Sequence, residues 1–363
     1  MAFSYQKTIL IAPLDWGLGH ATRCIPIIEH LQTINCKVII AAENATLKIL
    51  TEAFPAIQSI RLTGYRIHYS RTKTFFLISL LSQVPKILLR STNEHYWLKK
   101  VVKKYNVDAI ISDNRFGLHH PVVPCVYITH QLSIQTGNPF MDKLMQKIHF
   151  NSIKKFKYCW VPDFEDGDNN MAGLLSHPNS LPSNVTYIGC LSRFKDICKP
   201  DKPSGIVAII SGPEPQRTIF EKILLKQLHQ FKGKCMLVRG LPELHNKMSL
   251  LQNGNLEVKN HLSMQDLNAA MLKADWVIAR SGYTTVMDLI KIRQKAILVA
   301  TPGQTEQEYL ADYLYKKEYF FTASQHNFNI NAVIESAKIF PANLPAVDMD
   351  LYKQVITKFV QSL

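Results

Sequence analysis

Twice in this chain an apolar run of strand length ends in a glycine turn and gives way to a helix-like stretch. That junction restricts the fold more than any other feature. The sharper instance lies in the second half, where Trp276–Ala279 reads as a strand and Arg280, Ser281 and Gly282 as the turn. Thr284 and Thr285 then open a helix that carries Asp288. A helix start presents backbone N–H groups that the helix cannot satisfy, at the positive end of its dipole, and both properties suit a phosphate. Asp288 falls one turn further on, where a carboxylate can accept two hydrogen bonds from a ribose. The next strand, residues 296–300, leads to a second loop bearing Gln307 and Glu308. Loops gathered at the carboxyl ends of parallel strands are where doubly wound sheets bind nucleotides.

The first instance follows an initial strand at residues 8–12. The turn is Pro13-Leu14-Asp15-Trp16-Gly17-Leu18-Gly19-His20, and a helix is expected from about Ala21. Gly17 and Gly19 allow a tight turn and a close backbone approach. A dinucleotide fingerprint wants a third glycine where Thr22 stands, so that reading is incomplete, although Glu43 ends the second strand as its ribose-binding acid would. His20 sits where a reacting group would, and an imidazole that titrates near neutrality suits a general base. A lone histidine at that place serves equally well as a helix cap. Arg23 faces either a phosphate or the solvent. Asp113, at another strand end, is a further candidate base or an ordinary capping acid, and His130 also ends a strand.

Strand-like and helix-like stretches alternate through most of the 363 residues, which predicts an α/β protein with two Rossmann-like domains facing across a cleft. The expected boundaries are residues 1–162 for the first domain, 163–205 for a linker, 206–340 for the second domain and 341–363 for a terminal helix. The linker assignment rests on Asp166-Gly-Asp-Asn-Asn170 and on Pro178, Pro182, Pro200 and Pro203. Two helices are expected at residues 74–90, interrupted at Pro85, and 93–105.

No apolar run reaches the ~18 residues of a spanning helix. The N-terminus enters directly into a strand, unlike a signal peptide. Seven scattered cysteines without a Cys-x-x-Cys pair predict reduced thiols in a cytoplasmic protein and no zinc site. The formal net charge is +14, and residues 61–104 hold ten basic side chains against one acid, Glu94. An aliphatic band from Phe75 to Leu89 is interleaved with them. That pattern predicts either peripheral contact with anionic lipid or a buried helix with solvated cationic ends. Nucleic acid is the poorer match, because the interleaved residues are aliphatic and not stacking aromatics.

The Gly17-Leu-Gly-His20 loop together with Arg280-Ser-Gly-x-x-Thr-x-x-Asp-Leu289 resembles the GT-B glycosyltransferases. Within them it is most similar to the UDP-N-acetylglucosamine transferases of peptidoglycan synthesis, of the glycosyltransferase family 28 type. The likeness is sharp at residues 9–28, 185–193, 206–217 and 262–312. It implies a UDP-sugar donor on the second domain, no cofactor and no metal. Asp288 would hold the ribose in place of the family's Glu, and Ser281, Gly282, Thr284 and Thr285, with Arg280 in the same motif, would bind the diphosphate. Gln307 and Glu308 would touch the sugar, Met264 would read the uracil edge through its backbone, and Arg193 would lie near the phosphates. His20 would face the acceptor. The family's Gly-Gly-Ser-x-Gly turn appears here as Ser211-Gly-Pro-Glu-Pro-Gln216, whose prolines remove amide donors. The first loop carries Leu14-Asp15-Trp16 where the family has Gly-Gly-Thr, which makes Asp15 a second candidate base.

The resemblance thus implies an inverting, metal-independent transfer of an N-acetylhexosamine or hexose to a lipid-linked or cell-envelope glycan acceptor. Such an enzyme would be cytoplasmic, peripheral on the inner face of the plasma membrane. Two other classes share the same residues. Gly19-His-Ala-Thr-Arg-Cys24 also resembles the loop of the sugar-nucleotide hydrolases of nonulosonic acid pathways, where His20 would activate water. A non-catalytic sugar-nucleotide-binding protein would keep the donor pocket alone.

Overall fold

The computed structural model describes residues 6–15, 17–65, 73–134, 139–195, 203–242 and 252–363, and among them side chains everywhere except at 73–82, 84, 139, 252 and 253. The chain divides into two compact units, residues 1–70 with 74–192 and 347–363, and residues 193–346 with 71–73.

The first unit is built on seven strands, β1 (Thr8–Pro13), β2 (Lys37–Ala42), β3 (Gln58–Arg61), β4 (Ala109–Asp113), β5 (Cys125–Ile128), β6 (Tyr158–Val161) and β7 (Val185–Tyr187). All pair in parallel, in the order β3-β2-β1-β4-β5-β6-β7. Helices α1 (Leu18–Thr33), α2 (Asn44–Ala53), α3 (Lys73–Tyr105) and α4 (Pro139–Ile153) connect them. All six residues of β1 are buried, because a parallel sheet covered on both faces demands continuous apolar strands. Ile9, Leu10 and Ile11 are wholly excluded from solvent, each contributing about 1.5–3 kcal/mol of burial free energy.

The second unit repeats the plan. Its strands are β8 (Ile206–Ile209), β9 (Cys235–Val238), β10 (Gln252–Asn253), β11 (Leu256–Lys259), β12 (Trp276–Ala279), β13 (Ala296–Leu298) and β14 (Phe321–Thr322). The order is β10-β11-β9-β8-β12-β13-β14, parallel except for the short edge strand β10. Helices α5 (Gln216–Gln230), α6 (Met264–Lys273), α7 (Tyr283–Lys291), α8 (Thr305–Lys316) and α9 (Ile330–Lys338) complete it. In both sheets the winding reverses between two adjacent central strands, β1 and β4 in one and β8 and β12 in the other. Loops leaving the carboxyl ends of such a pair diverge and open a crevice.

Two boundaries differ from expectation. Much of the predicted linker belongs to the first unit: it supplies β7, and it folds around Asp163, whose carboxylate is fully buried. That carboxylate accepts from the backbone N–H of Phe164, Met171 and Ala172 and from Ser176 Oγ at 2.6–3.1 Å. Turn-rich composition marks a loop, and a buried acceptor makes that loop rigid. The final helix, α10 (Leu351–Gln361), packs back on the first unit. There Thr357 Oγ1 lies 2.8 Å from His30 Nε2, and Phe359 packs edge-on against Trp160.

Three helices also differ. The two helices expected around Pro85 are one, α3, of 33 residues with Pro85 inside. Helix α1 begins at Leu18, so Gly19 and His20 stand in its first turn and not ahead of it. Helix α4 was not foreseen. Arg66, Arg71 and Trp16 lie outside the described residues, as do the side chains of residues 75–82 in the aliphatic band. No helix among the described residues is long and apolar enough to cross a membrane. The six described cysteines are free, buried thiols.

Candidate active site

Gly17 caps α1 at φ +93°, in the left-handed region that favours glycine, and an added Cβ would meet nothing within 4 Å. The turn therefore needs glycine for its backbone angle and not for space. It sets His20 on the first turn of α1 and Arg23 one turn later on the same face. Strand β4 pairs with β1 so that Asp113 lies opposite Pro13. The sheet's switch point thus brings its last residue under that helix.

There the groups converge. Asp113 is fully buried, Arg23 is 3% exposed and His20 15%. Arg23 grips Asp113 with two donors, Nε to Oδ2 at 2.7 Å and Nη2 to Oδ1. Its Nη1 lies 3.0 Å from Nδ1 of His130, which follows β5. His20 Nδ1 lies 3.1 Å from Asp113 Oδ2 and 2.8 Å from Arg23 Nη2. A single ring nitrogen cannot donate to the first while accepting from the second. Protonated, Nδ1 donates to Asp113 and leaves the Nε2 lone pair for a substrate.

Burial favours a neutral imidazole. Burial pulls the His20 pKa below its ordinary value; Asp113 pushes it up, Arg23 and His130 push it down, and the balance remains low. Burial pushes Asp113 up, but the Arg23 charge and His20 outweigh it and hold the carboxyl at about 2. Asp113 therefore stays ionised at neutral pH, and its full burial beneath His20 and Arg23 sets it to orient those neighbours. Asp15, the other candidate base, is partly accessible and serves the first unit's own loop. Its Oδ1 accepts from the Tyr65 backbone N–H at 3.0 Å, and a Cβ on Gly64 would lie only 1.8 Å from its Oδ2. The carboxylate pins the 62–65 loop.

The second unit assembles the other predicted group. Strand β12 runs in register with β8, Ala279 opposite Ile209. The loops carrying Ser211 and Ser281-Gly282 therefore leave adjacent carboxyl ends, at the second sheet's switch point. Gly282 caps α7, and Gly282, Thr284 and Thr285 remain partly accessible. Ser211 is partly accessible beside Gly212, whose φ is +100°. Arg193 and Asp288, assigned separately to phosphate and ribose, meet: Nε lies 3.3 Å from Oδ2, with the aspartate 5% and the arginine 19% exposed. Met264 opens α6 behind its cap Ser263 and is partly accessible.

Several side chains are committed to the protein itself. Arg280 is 1% exposed, donates to the carbonyls of Ala300 and Gln216 and to Gln325 Oε1, and lies over the Phe220 ring. Desolvation lowers its pKa to about 10. It braces the sheet edge, and its expectation as a phosphate ligand is corrected. Ser281 is fully buried with Oγ donating to the Gln307 carbonyl, so what its position offers a ligand is backbone. Gln307 and Glu308 accept from the backbone N–H of Thr301 and Gly303 at 3.0 Å and shape the loop before α8. Sequence reasoning missed the Arg23–Asp113–His130 cluster; the i, i+3 spacing of His20 and Arg23 was its one visible sign.

Comparisons with known proteins bear on the fold and on the second unit. Residues 208–343 match the model of the glycosyltransferase family 28 C-terminal domain. The chain is 23% identical over 350 residues to UDP-N-acetylglucosamine–N-acetylmuramyl-(pentapeptide) pyrophosphoryl-undecaprenol N-acetylglucosamine transferase of Histophilus somni, covering 92% of this chain and 90% of the relative. Among solved structures, MurG of Acinetobacter baumannii aligns with TM-score 0.56 at 14% identity over 99% of this chain and 100% of that one. The glycosyltransferase SnogD of Streptomyces nogalater aligns with TM-score 0.61 at 11% identity over 98% and 99%. These structures establish the GT-B fold.

Proposed function

We infer that this GT-B glycosyltransferase, whose residues 208–343 match the family 28 C-terminal domain, moves an N-acetylhexosamine or hexose from a UDP-sugar to a hydroxyl of a lipid-linked or cell-envelope glycan. One observation carries the reading. Each sheet places its chemistry at its own switch point, a neutral histidine over a buried carboxylate in the first unit and a glycine-capped helix beside an Arg–Asp pair in the second.

The second unit suits the leaving group. A departing nucleoside diphosphate gathers negative charge, which the α7 terminus and the Arg193 guanidinium offset by fixed dipoles and charge, without calling on a metal. Asp288, on α7 and partnered by Arg193, is assigned the ribose hydroxyls. The first unit suits the nucleophile. With Nδ1–H directed at Asp113, His20 Nε2 accepts the acceptor's hydroxyl proton as the oxygen attacks the anomeric carbon opposite the leaving phosphate, which inverts that centre. The Histophilus relative's name describes transfer of N-acetylglucosamine from its UDP ester to an undecaprenol-linked substrate, and this chain's reaction is read as the same class.

Asp288→Ala tests the donor site. UDP affinity should fall by about 10- to 100-fold, the worth of hydrogen bonds to a charged group, while the fold persists because Arg193 keeps access to solvent. Calorimetric titration with UDP is the measurement, and unchanged affinity contradicts the placement.

The acceptor class also predicts attachment to anionic membrane on the inner face of the cell. On α3 the lysines 99, 100, 103 and 104 are exposed, as are Leu88, Leu89 and Tyr96 at 61–69%. Replacing those four lysines by glutamine should reduce cosedimentation with phosphatidylglycerol vesicles, roughly in proportion to ~1 kcal/mol per lost charge near the surface. Equal sedimentation of variant and parent would place the membrane contact elsewhere.

A further inference from the structure

We infer that Arg23 is a positioning residue for the transfer: it holds the Asp113 carboxylate in a two-donor grip so that Oδ2 faces His20 Nδ1, and so selects which ring nitrogen meets the acceptor. The inference rests on His20 being the base.

The observations are independent of any motif. Arg23 is nearly sealed from water and its partner wholly so, an arrangement that persists only when the geometry and hydrogen bonding of the pair are good. Its guanidinium engages Asp113 at the end of β4, lies 3.0 Å from His130 Nδ1 after β5, and sits against the His20 ring on α1. A planar fork can do this; a point charge cannot. Arg23 Nη2 lies 2.8 Å from the same His20 Nδ1 and also engages Asp113 Oδ1. While Arg23 Nε and Nη2 engage both carboxylate oxygens, Oδ2 stays 3.1 Å from Nδ1 and within reach of its proton.

Electrostatics point the same way. The groups that face His20 are Asp113, Arg23 and His130, with Cys24 and Tyr127 touching the same charges from α1 and β5. Asp113 favours the imidazolium, and Arg23 and His130 oppose it. With Arg23 removed, His20 becomes the remaining counter-ion of a buried carboxylate and takes up a proton at higher pH. It then has no lone pair to offer at neutrality.

The test uses the full chain labelled with 15N-histidine. In the parent, His20 should titrate below 6.5 with the proton of its neutral form on Nδ1. In Arg23→Gln the His20 titration should rise by about one pH unit or more, and the acid limb of the kcat profile should rise with it. Arg23→Lys keeps the charge and loses the fork. There the titration should stay near the parent's while kcat falls, with the donor KM unchanged. If Arg23→Gln does not fold, the Arg23→Lys split between kcat and titration decides the matter. A His20 titration and pH profile unmoved in Arg23→Gln, or Arg23→Lys kinetics equal to the parent's, would overturn the inference. Full activity in His20→Ala would instead overturn the assignment of the base on which it rests.

Discussion

Replacing His20 by alanine should lower kcat by roughly two to four orders of magnitude, the usual contribution of a positioned general base. The KM for the nucleotide sugar should hardly move, because the donor is assigned to the second unit and His20 belongs to the first. The loss of one imidazole from the first turn of α1 leaves the Arg23–Asp113 pair intact, so stability should change little. Steady-state kinetics with the donor varied at saturating acceptor separate the two quantities. A loss confined to KM would mean that His20 binds and does not react. A kcat equal to the parent's would remove it from the chemistry.

Asp113 offers the second large effect, and its two substitutions divide structure from chemistry. Asp113→Ala strips a nearly sealed arginine of its counter-ion. Breaking a buried pair from one side costs about 3–5 kcal/mol, on the order of 10 °C in thermal midpoint for a domain of this size. Asp113→Asn keeps the shape and removes the charge, so the Nδ1 proton of His20 loses its anionic acceptor. The protein should fold and turn over slowly, with kcat reduced by roughly two or more orders of magnitude. The pH dependence has a definite sign. With its carboxyl held at about 2, the parent gains stability that is fully present above the unfolded value of about 3.9 and is lost as pH falls toward 2. Thermal melts between pH 5 and 2 should show this slope in the parent and a shallower one in Asp113→Asn. Parallel slopes would mean that the carboxylate contributes nothing as a charged group.

Much of the architecture was legible because parallel strands are buried on both faces and betray themselves as short aliphatic runs, as at Ile9-Leu10-Ile11 and Trp276–Ala279. The glycine turns were legible for the same local reason, since Gly17 and the capping Gly282 mark where strands give way to helices. What stayed hidden depends on partners remote in the chain. Asp163 looked like a linker acid until four donors closed around it. The periodicity of α10 announced a helix without saying which unit it covers. Arg280 stood inside the most specific motif of the chain, yet its guanidinium points into the core, where Ala300, Gln216 and Gln325 receive it. The Arg23 cluster needed register: only the pairing of β1 with β4 brings residue 113 beneath residues 20 and 23.

The most direct measurement follows UDP release from UDP-sugars, with and without a polyprenyl-pyrophosphate-linked glycan. Transfer predicts slow release from donor alone and strong acceleration by the acceptor, with the sugar recovered on the lipid in inverted configuration. Release at the same rate without acceptor, with free sugar as the product, would make the enzyme a hydrolase and contradict the account.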